Sequence, residues 1–384
     1  MPPATDWSRY PKIAESSAPC SSTTGEWICT EKAHGANFSS VAAPAGNVLF
    51  ASRSGVLADS DNFFGFKSVG LDSFLESRIC ALREELVRVG IAGADATVII
   101  YGELCGGHYP HADVPAVNGG VGPVQRGIWY SPTLCFIGFD IAVLDSSNDD
   151  ETGAAEPAAA PPPRFLDFDV ARAAAIAAGI RFTTPLLRGT LAQCLDAEVR
   201  FASTIPAALG LPPLPAEVPN LAEGLVVRPA REPAAASAGR GSRGLIKRKI
   251  PEFSEKQYSN EEWRSARHGM ASGGGGGGGV SWAEAEDLVR YEMLAAINQQ
   301  RLDAVVSKVG QVDTDDKPAC RQLLRDFMVD VAEALVEDGL LAARHVAEAA
   351  APPLQQLTAR HPLLHEELEK HSRTLVARFL RRRM

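Results

Sequence analysis

The sequence lacks paired cysteines, long apolar runs and any excess of positive charge. Its seven cysteines (Cys20, Cys29, Cys80, Cys105, Cys135, Cys194 and Cys320) are scattered singly, with no CxxC pair. That spacing argues against a disulfide framework or a tetrahedral zinc site and suits a reducing intracellular compartment, cytoplasm or nucleus. The start, MPPATDWSRYPKI, has neither the basic head nor the apolar centre of a secretion signal, while an organelle address stays compatible with it. No apolar run approaches about 18 residues without a charge or a breaker, which excludes a membrane span. With 38 Lys and Arg against 47 Asp and Glu the net charge is −9, so only local basic faces can meet a nucleic acid. Neither a Walker-type phosphate loop nor a dinucleotide fingerprint occurs.

What is present is an ordinary globular composition: 384 residues, 45% hydrophobic and 22% charged. That length predicts one or two domains with a sizeable core. The part up to about residue 145 reads as short strands and turns. ATVIIYGEL (96–104) and CFIGFDIAV (135–143) are rich in strand formers. LDSFLESRICALREELVRVG predicts a helix from Asp72 or Ser73 to Gly90, with Phe74, Ile79, Leu82, Leu86 and Val89 as its buried stripe. Residues 145–163 are low in complexity and predict a disordered insertion, and 230–244 a second, more basic loop. FLDFDVARAAAIAAGI between them predicts another helix. Seven consecutive glycines, Gly273–Gly279, make a linker within 263–280. Beyond it the pattern is helical, with Leu288, Tyr291, Leu294 and Ile297 as one stripe of a bundle. Residues 281–384 hold 14 Lys and Arg against 17 Asp and Glu, with a basic tail at Arg378, Arg381, Arg382 and Arg383.

The residues able to do chemistry stand at strand ends. EWICTE delivers Lys32 into a turn at Gly35, and alternation puts Ile28, Thr30 and Lys32 on one side. Burying an ammonium is costly, so a lysine placed there suits a nucleophile of depressed pKa. In LIKRKIPEF (245–253) period two puts Lys247 and Lys249 on one face and Ile246, Arg248 and Ile250 on the other. That face is either a solvated edge strand or a cationic cradle for phosphate. Glu103, Asp140 and Glu223 add three carboxylates at strand ends. Three lysines and three carboxylates suggest a nucleotide site with Mg²⁺, which prefers oxygen ligands shared with phosphates. Phe139 faces away from Asp140 if the strand is regular, and either Phe136 or Phe139 could stack on a purine.

These motifs, in this order, resemble the RNA ligase 2 family of ATP-dependent polynucleotide ligases, to which the kinetoplastid RNA-editing ligases are related. The resemblance rests on EKAHGANF (31–38), ASRSGVL…NFFGF (51–66), IIYGELCG (99–106), FIGFDIAV (136–143), AEGLVVRP (222–229) and LIKRKIPEFSEK (245–256). LVRYEMLAAINQQRLDAVVSKVGQV (288–312) resembles the helical carboxy-terminal domain of phage-type members. The resemblance implies an α+β fold: a nucleotidyltransferase domain of antiparallel sheets with helices over 1–262, then a small all-α RNA-binding domain over 281–384. It implies ATP and Mg²⁺ as cofactors, and RNA with 3′-hydroxyl and 5′-phosphate ends, in nicked duplex, as substrate. Lys32 would be the adenylated nucleophile. Lys247 and Lys249 would hold the α-phosphate, and Glu103 the ribose hydroxyls. Glu31 would present its backbone to adenine and Phe139 would stack on it. Glu223 would serve the metal and the lysine. His34, Asn37 and Arg53 would face the triphosphate and then the RNA phosphates. The 145–163 insertion and the glycine run depart from the family pattern without removing a motif residue. A capping-type guanylyltransferase shares the lysine nucleophile, and a catalytically inactive RNA-binding scaffold is the non-enzymatic rival.

Overall fold

The computed structural model describes residues 7–11, 13, 25–117, 121–145, 162–233, 243–253, 289–337 (apart from 291 and 295) and 351–381. Most of the 145–163 insertion, the centre of the 230–244 loop, the whole 263–280 linker, Leu288, Tyr291, Arg382 and Arg383 lie outside them. The chain divides into two units, 1–250 and 251–384.

The first unit is built on two sheets in which every strand pairing is antiparallel. One has the order β7-β1-β8-β9, from β7 (Pro185–Gly189), β1 (Trp27–Glu31), β8 (Gly224–Pro229) and β9 (Ile246–Lys249). The other has the order β3-β2-β4-β5-β6, from β3 (Val48–Ser52), β2 (Ala36–Ala42), β4 (Thr97–His108), β5 (Ser131–Leu144) and β6 (Arg164–Phe165). The expected strands at 96–104 and 135–143 are both present and both longer than their motifs. The first sheet buries Trp27, Cys29, Leu225, Val227 and Ile246 in one cluster with Cys194 of a short helix, α3 (Leu191–Asp196). Burying such side chains is worth about 1.5–3 kcal/mol each. This fixes which face of β1 and β9 is core. Ile28, Thr30 and the lysine after the strand fall on the other face, as period two requires.

The helices follow the sequence closely, with two differences of face. Helix α1 (Leu71–Arg88) buries Leu75, Ile79, Leu82 and Leu86, while Phe74 and Val89 are exposed. The stripe therefore starts at Leu75, not Phe74. Helix α2 (Phe168–Ala177) stands where the second helix was expected. A further one-turn helix is α4 (Ile205–Ala208).

The second unit is helical where it is described. Helix α6 (Lys317–Glu337) packs against α5 (Gln299–Val309), α7 (Pro353–Arg360) and α8 (Pro362–Arg381). The expected stripe is displaced: Met293 is buried and Leu294 exposed. The pattern also breaks at Asn298, whose side chain accepts from Arg301 N at 2.9 Å and caps α5. Inside the unit Arg301 is buried against Asp330 at 2.8 Å.

Two glycines let the first unit close around the segment that joins its sheets. A Cβ on Gly35 would stand 2.2 Å from the Leu104 carbonyl oxygen, and one on Gly224 would stand 1.9 Å from that of Arg248. Gly224 also has φ +147, a backbone that side-chain-bearing residues rarely adopt. Gly224→Ala should therefore destabilise the chain by about 2–3 kcal/mol, read as a lowered denaturant midpoint. An unchanged midpoint would show that β8 and β9 can separate without cost.

Candidate active site

The chain leaves the first sheet at Glu31 and enters the second at Ala36, so Lys32–Gly35 is the bridge between them. Both ends of that bridge are pinned. Lys32 N donates to the Gly224 carbonyl at 2.9 Å, and Gly35 N donates to Glu103 Oε1 at 3.0 Å. His34 N donates to the Tyr130 hydroxyl at 2.9 Å. The bridge is thus held in one conformation by partners from β4, β5 and the start of β8.

Glu223 gathers the charges. Its Oε2 lies 2.8 Å from Lys32 Nζ and 3.2 Å from His34 Nδ1, and its Oε1 lies 3.1 Å from Lys249 Nζ. The carboxylate is buried, while Lys32, His34 and Lys249 are partly open. Burial alone would raise its pKa. Lys32, Lys249 and His34 outweigh that and hold it well below the usual carboxylate range. Glu103 responds in the opposite sense. Burial pushes it up to about 7, and the negative charge of Glu223 adds to the rise against the pull of Lys32, Lys249 and the Gly35 N–H. Two carboxylates that share the same lysines cannot both ionise freely, and the less well-paired one retains its proton.

The other expected residues divide into those this cluster gathers and those it does not. Lys247 stands opposite Val226 and two residues from Lys249, on the same face of β9, and is half-buried. Arg248, between them, points the other way and donates to the Ala197 carbonyl at 2.8 Å. Asn37 pairs across the ladder with Glu103. Arg53 donates to the Tyr10 carbonyl at 2.5 Å. Burial and Arg9 lower its pKa, while Tyr10 and Glu103 act against them. The Glu31 side chain is turned away from the lysines. Its carboxylate accepts from Ser203 Oγ at 2.6 Å and from the backbone N and hydroxyl of Thr204, each at 2.7 Å. Burial raises its pKa against those bonds. Only its backbone stays next to Lys32.

Asp140 and Phe139 correct the sequence reading. Asp140 is fully buried away from the lysine cluster. It accepts from Tyr10 at 2.8 Å, Arg243 at 2.7 Å and Arg228 at 3.3 Å, while Glu232 bridges the same two arginines. Burial would raise its pKa, and the two guanidiniums and the Tyr10 hydroxyl bring it below the ordinary value. Its carboxylate is structural in this arrangement and has no side facing a ligand. Phe139 does not face away from it, because the ladder shifts between Tyr101 and Gly102 and leaves Phe139 as the extra residue of a bulge. Both neighbours consequently meet Tyr10, Phe139 edge-on with ring centroids 5.0 Å apart. Phe136 packs instead against Phe38 in the core, at 6.0 Å. Arg243 was read as part of a loose basic loop, yet it is an anchor of this buried network.

Tyr130, Ser203 and Thr204 carry parts of the site that no spacing announced. Each acts through one hydroxyl on a partner about a hundred residues or more away, and such a contact leaves no local periodicity. Among the described residues no group of three or more His, Cys, Asp and Glu side chains could hold a metal ion. Both Glu223 oxygens already face lysines, so the residues do not form a cage for Mg²⁺.

The family model described as RNA ligase matches residues 25–249, from the turn before β1 to the last lysine of β9. The chain belongs to the RNA ligase family. The mitochondrial RNA-editing ligase 2 of Trypanosoma brucei brucei is 28% identical to this ligase over 354 residues, covering 83% of this chain and 80% of the relative. The mitochondrial RNA-editing ligase 1 of the same organism is 29% identical over 365 residues, covering 83% and 73%. Among solved structures a Naegleria gruberi RNA ligase with PPi is similar at 12% identity and a TM-score of 0.34, over 60% of this chain and 50% of that one. This ligase spans about half the length of that solved chain.

The raised Glu103 carboxyl gives the ligase a testable pH signature. A carboxyl that binds its proton more tightly folded than unfolded contributes stability below about 4.5, and loses it as pH rises to about 7. Glu103→Gln removes that loss. Relative to wild type the variant should gain up to about 3 kcal/mol between those pH values, measured by denaturant titration without ligand. A difference independent of pH would show that Glu103 ionises normally.

Proposed function

We propose that this ligase joins RNA ends with ATP through an adenylate carried on Lys32, and that Lys247, Lys249, Glu103, Asn37, His34 and Arg53 serve the nucleotide and the broken strand. The support is the Glu223 cluster. It holds an amine at the end of a buried strand beside a second lysine, in a chain whose family joins RNA.

The reaction has three in-line displacements. Lys32 Nζ sheds a proton and attacks the α-phosphorus of ATP; an N–P bond forms and pyrophosphate leaves. A 5′-phosphate of RNA then attacks the same phosphorus, the N–P bond breaks, and an RNA-adenylate forms. Finally the 3′-hydroxyl attacks the RNA phosphate and AMP departs. In each step the protein supplies position and positive charge, not bond-making of its own beyond Lys32. Glu223 fixes where the amine stands. Lys247 and Lys249 offset charge on the transferring phosphate. Phe139, edge-on against Tyr10, is the ring that would stack on a purine, and Asp140 holds Tyr10 through its hydroxyl. Mg²⁺ would enter on the phosphates of ATP, which can provide most of its ligands, and no step is assigned to it here. The helical region 281–384, beyond the 263–280 linker, would grip RNA, with 1–262 as the adenylylation domain and nicked duplex as the preferred substrate. Scattered thiols suit a reducing intracellular compartment, and the two trypanosome relatives are named as mitochondrial.

Labelled nucleotide tests the reading. Wild type should take label from ATP into the protein, and Lys32→Ala should take none while still folding, with an unfolding midpoint lowered by the loss of one Glu223 partner. Label from GTP and not ATP would favour capping chemistry, and no label from either would favour the inactive scaffold. A chain lacking 281–384 should still take label but seal nicked duplex RNA at least about tenfold more slowly, since phosphate contacts dominate such affinity. Equal sealing would give the helical region another task.

A further inference from the structure

An aromatic corner lies next to the bridge and is used by none of the steps above. Trp129 and His108 meet edge to face, with ring centroids 5.0 Å apart and planes at 77°. His108, at the end of β4, is exposed, and Trp129, just before β5, is half-buried. A large indole left partly open normally has a use, because the same ring in a core would bury far more apolar area.

The corner is rigid and tied to the site. Trp129 N donates to Asn220 Oδ1 at 2.8 Å, and Asn220 Nδ2 donates back to the Trp129 carbonyl at 2.9 Å, so one amide side chain clamps the residue from both sides. The next residue, Tyr130, is buried and its hydroxyl holds His34 N, two residues from Lys32. On the other arm, Tyr109 follows His108 and fastens its hydroxyl to the Pro212 carbonyl at 2.5 Å. The ladder shift between Gly106 and His108 bends β4 there, and a Cβ on Gly107 would stand 2.6 Å from the Gly122 carbonyl. Arg126 is exposed three residues before Trp129.

We propose that Trp129, backed by His108, is a stacking platform for a base of the RNA beside the break. The inference rests on the ligase reading above and adds a specific contact to it. A strand break interrupts the base stack, so a terminal base can offer a face to a protein ring. Aromatic platforms recognise every base by its π-face, and a neighbouring cation tracks the phosphate. The platform is sequence-tolerant, as an end-joining site requires, and its anchoring through Tyr130 sets its distance to the Lys32 bridge.

The test is a titration of the full chain with nicked duplex RNA, followed by intrinsic tryptophan fluorescence and by a competition assay. Wild type should be quenched on binding. Trp129→Phe should lose most of that quench while binding within a few-fold of wild type. Trp129→Ala should bind about tenfold more weakly, the loss typical of a removed stacking ring. Label from ATP, which needs no RNA, checks that each variant is folded. Quench retained in Trp129→Phe, or full affinity in a folded Trp129→Ala, overturns the proposal. If Trp129→Ala fails to fold, the quench comparison decides alone. A wild type that takes no label or binds no RNA counts against the ligase reading. One that does both, without quench at Trp129, counts against the platform only.

Discussion

One buried carboxylate organises the site. Glu223 is placed in a low-dielectric position where an unpaired charge would be very costly, and it is tolerated because two ammonium groups and an imidazole meet its two oxygens. Lys32 and Lys249 both meet that one carboxylate, and Lys247 stands on the same strand face as Lys249. Glu103 completes the balance. Burial, with the ionised Glu223 adding to it, pushes its own carboxyl up to about 7. Geometry depends on the same point. Gly224 brings the β8 backbone close enough to fix Lys32 N, and Gly35 lets the bridge pass under Leu104.

The parts of this site that were legible in the sequence are those governed by short-range geometry. Alternation put Ile28, Thr30 and Lys32 on one side of EWICTE and Lys247 and Lys249 on one face of LIKRK, and the structure makes these the non-core faces because Trp27, Cys29 and Ile246 claim the other side. Gly35 was legible as a turn. Phe139 was misread because a bulge has no signature in a single strand: it appears only when Tyr101 pairs with Asp140 and Gly102 with Gly138. Asp140 was misread for a related reason. Its partners, Tyr10, Arg228 and Arg243, lie 130, 88 and 103 residues away, and nothing local distinguishes a carboxylate awaiting a ligand from one already paired. The helix faces show the same limit. Phe74 and Val89 fit the period but lie near the two ends of α1, where Phe74 meets the Arg78 guanidinium instead of the core and both stay exposed.

Two charged centres thus divide the labour of the first unit. The Asp140 network is closed: its carboxylates and guanidiniums pair with one another with almost no exposure, although Arg228 Nε is left without a hydrogen bond among the described residues, and its role is to hold the amino-terminal segment, β5 and β8 together. The Glu223 cluster is similar in chemistry but open on the side of Lys32, His34 and Lys249. A closed network specifies a fold, and an open one leaves its charged groups within reach of solvent. The family match spans both, from residue 25 to residue 249.

The measurement that tests this account most directly is the position of the adenylate. The full chain is incubated with ATP, digested, and its peptides are mapped by mass for covalently attached AMP. The account predicts AMP on the peptide that contains Lys32 and on no other. AMP found on Lys247, on Lys249 or on a peptide from outside the Glu223 cluster would contradict it.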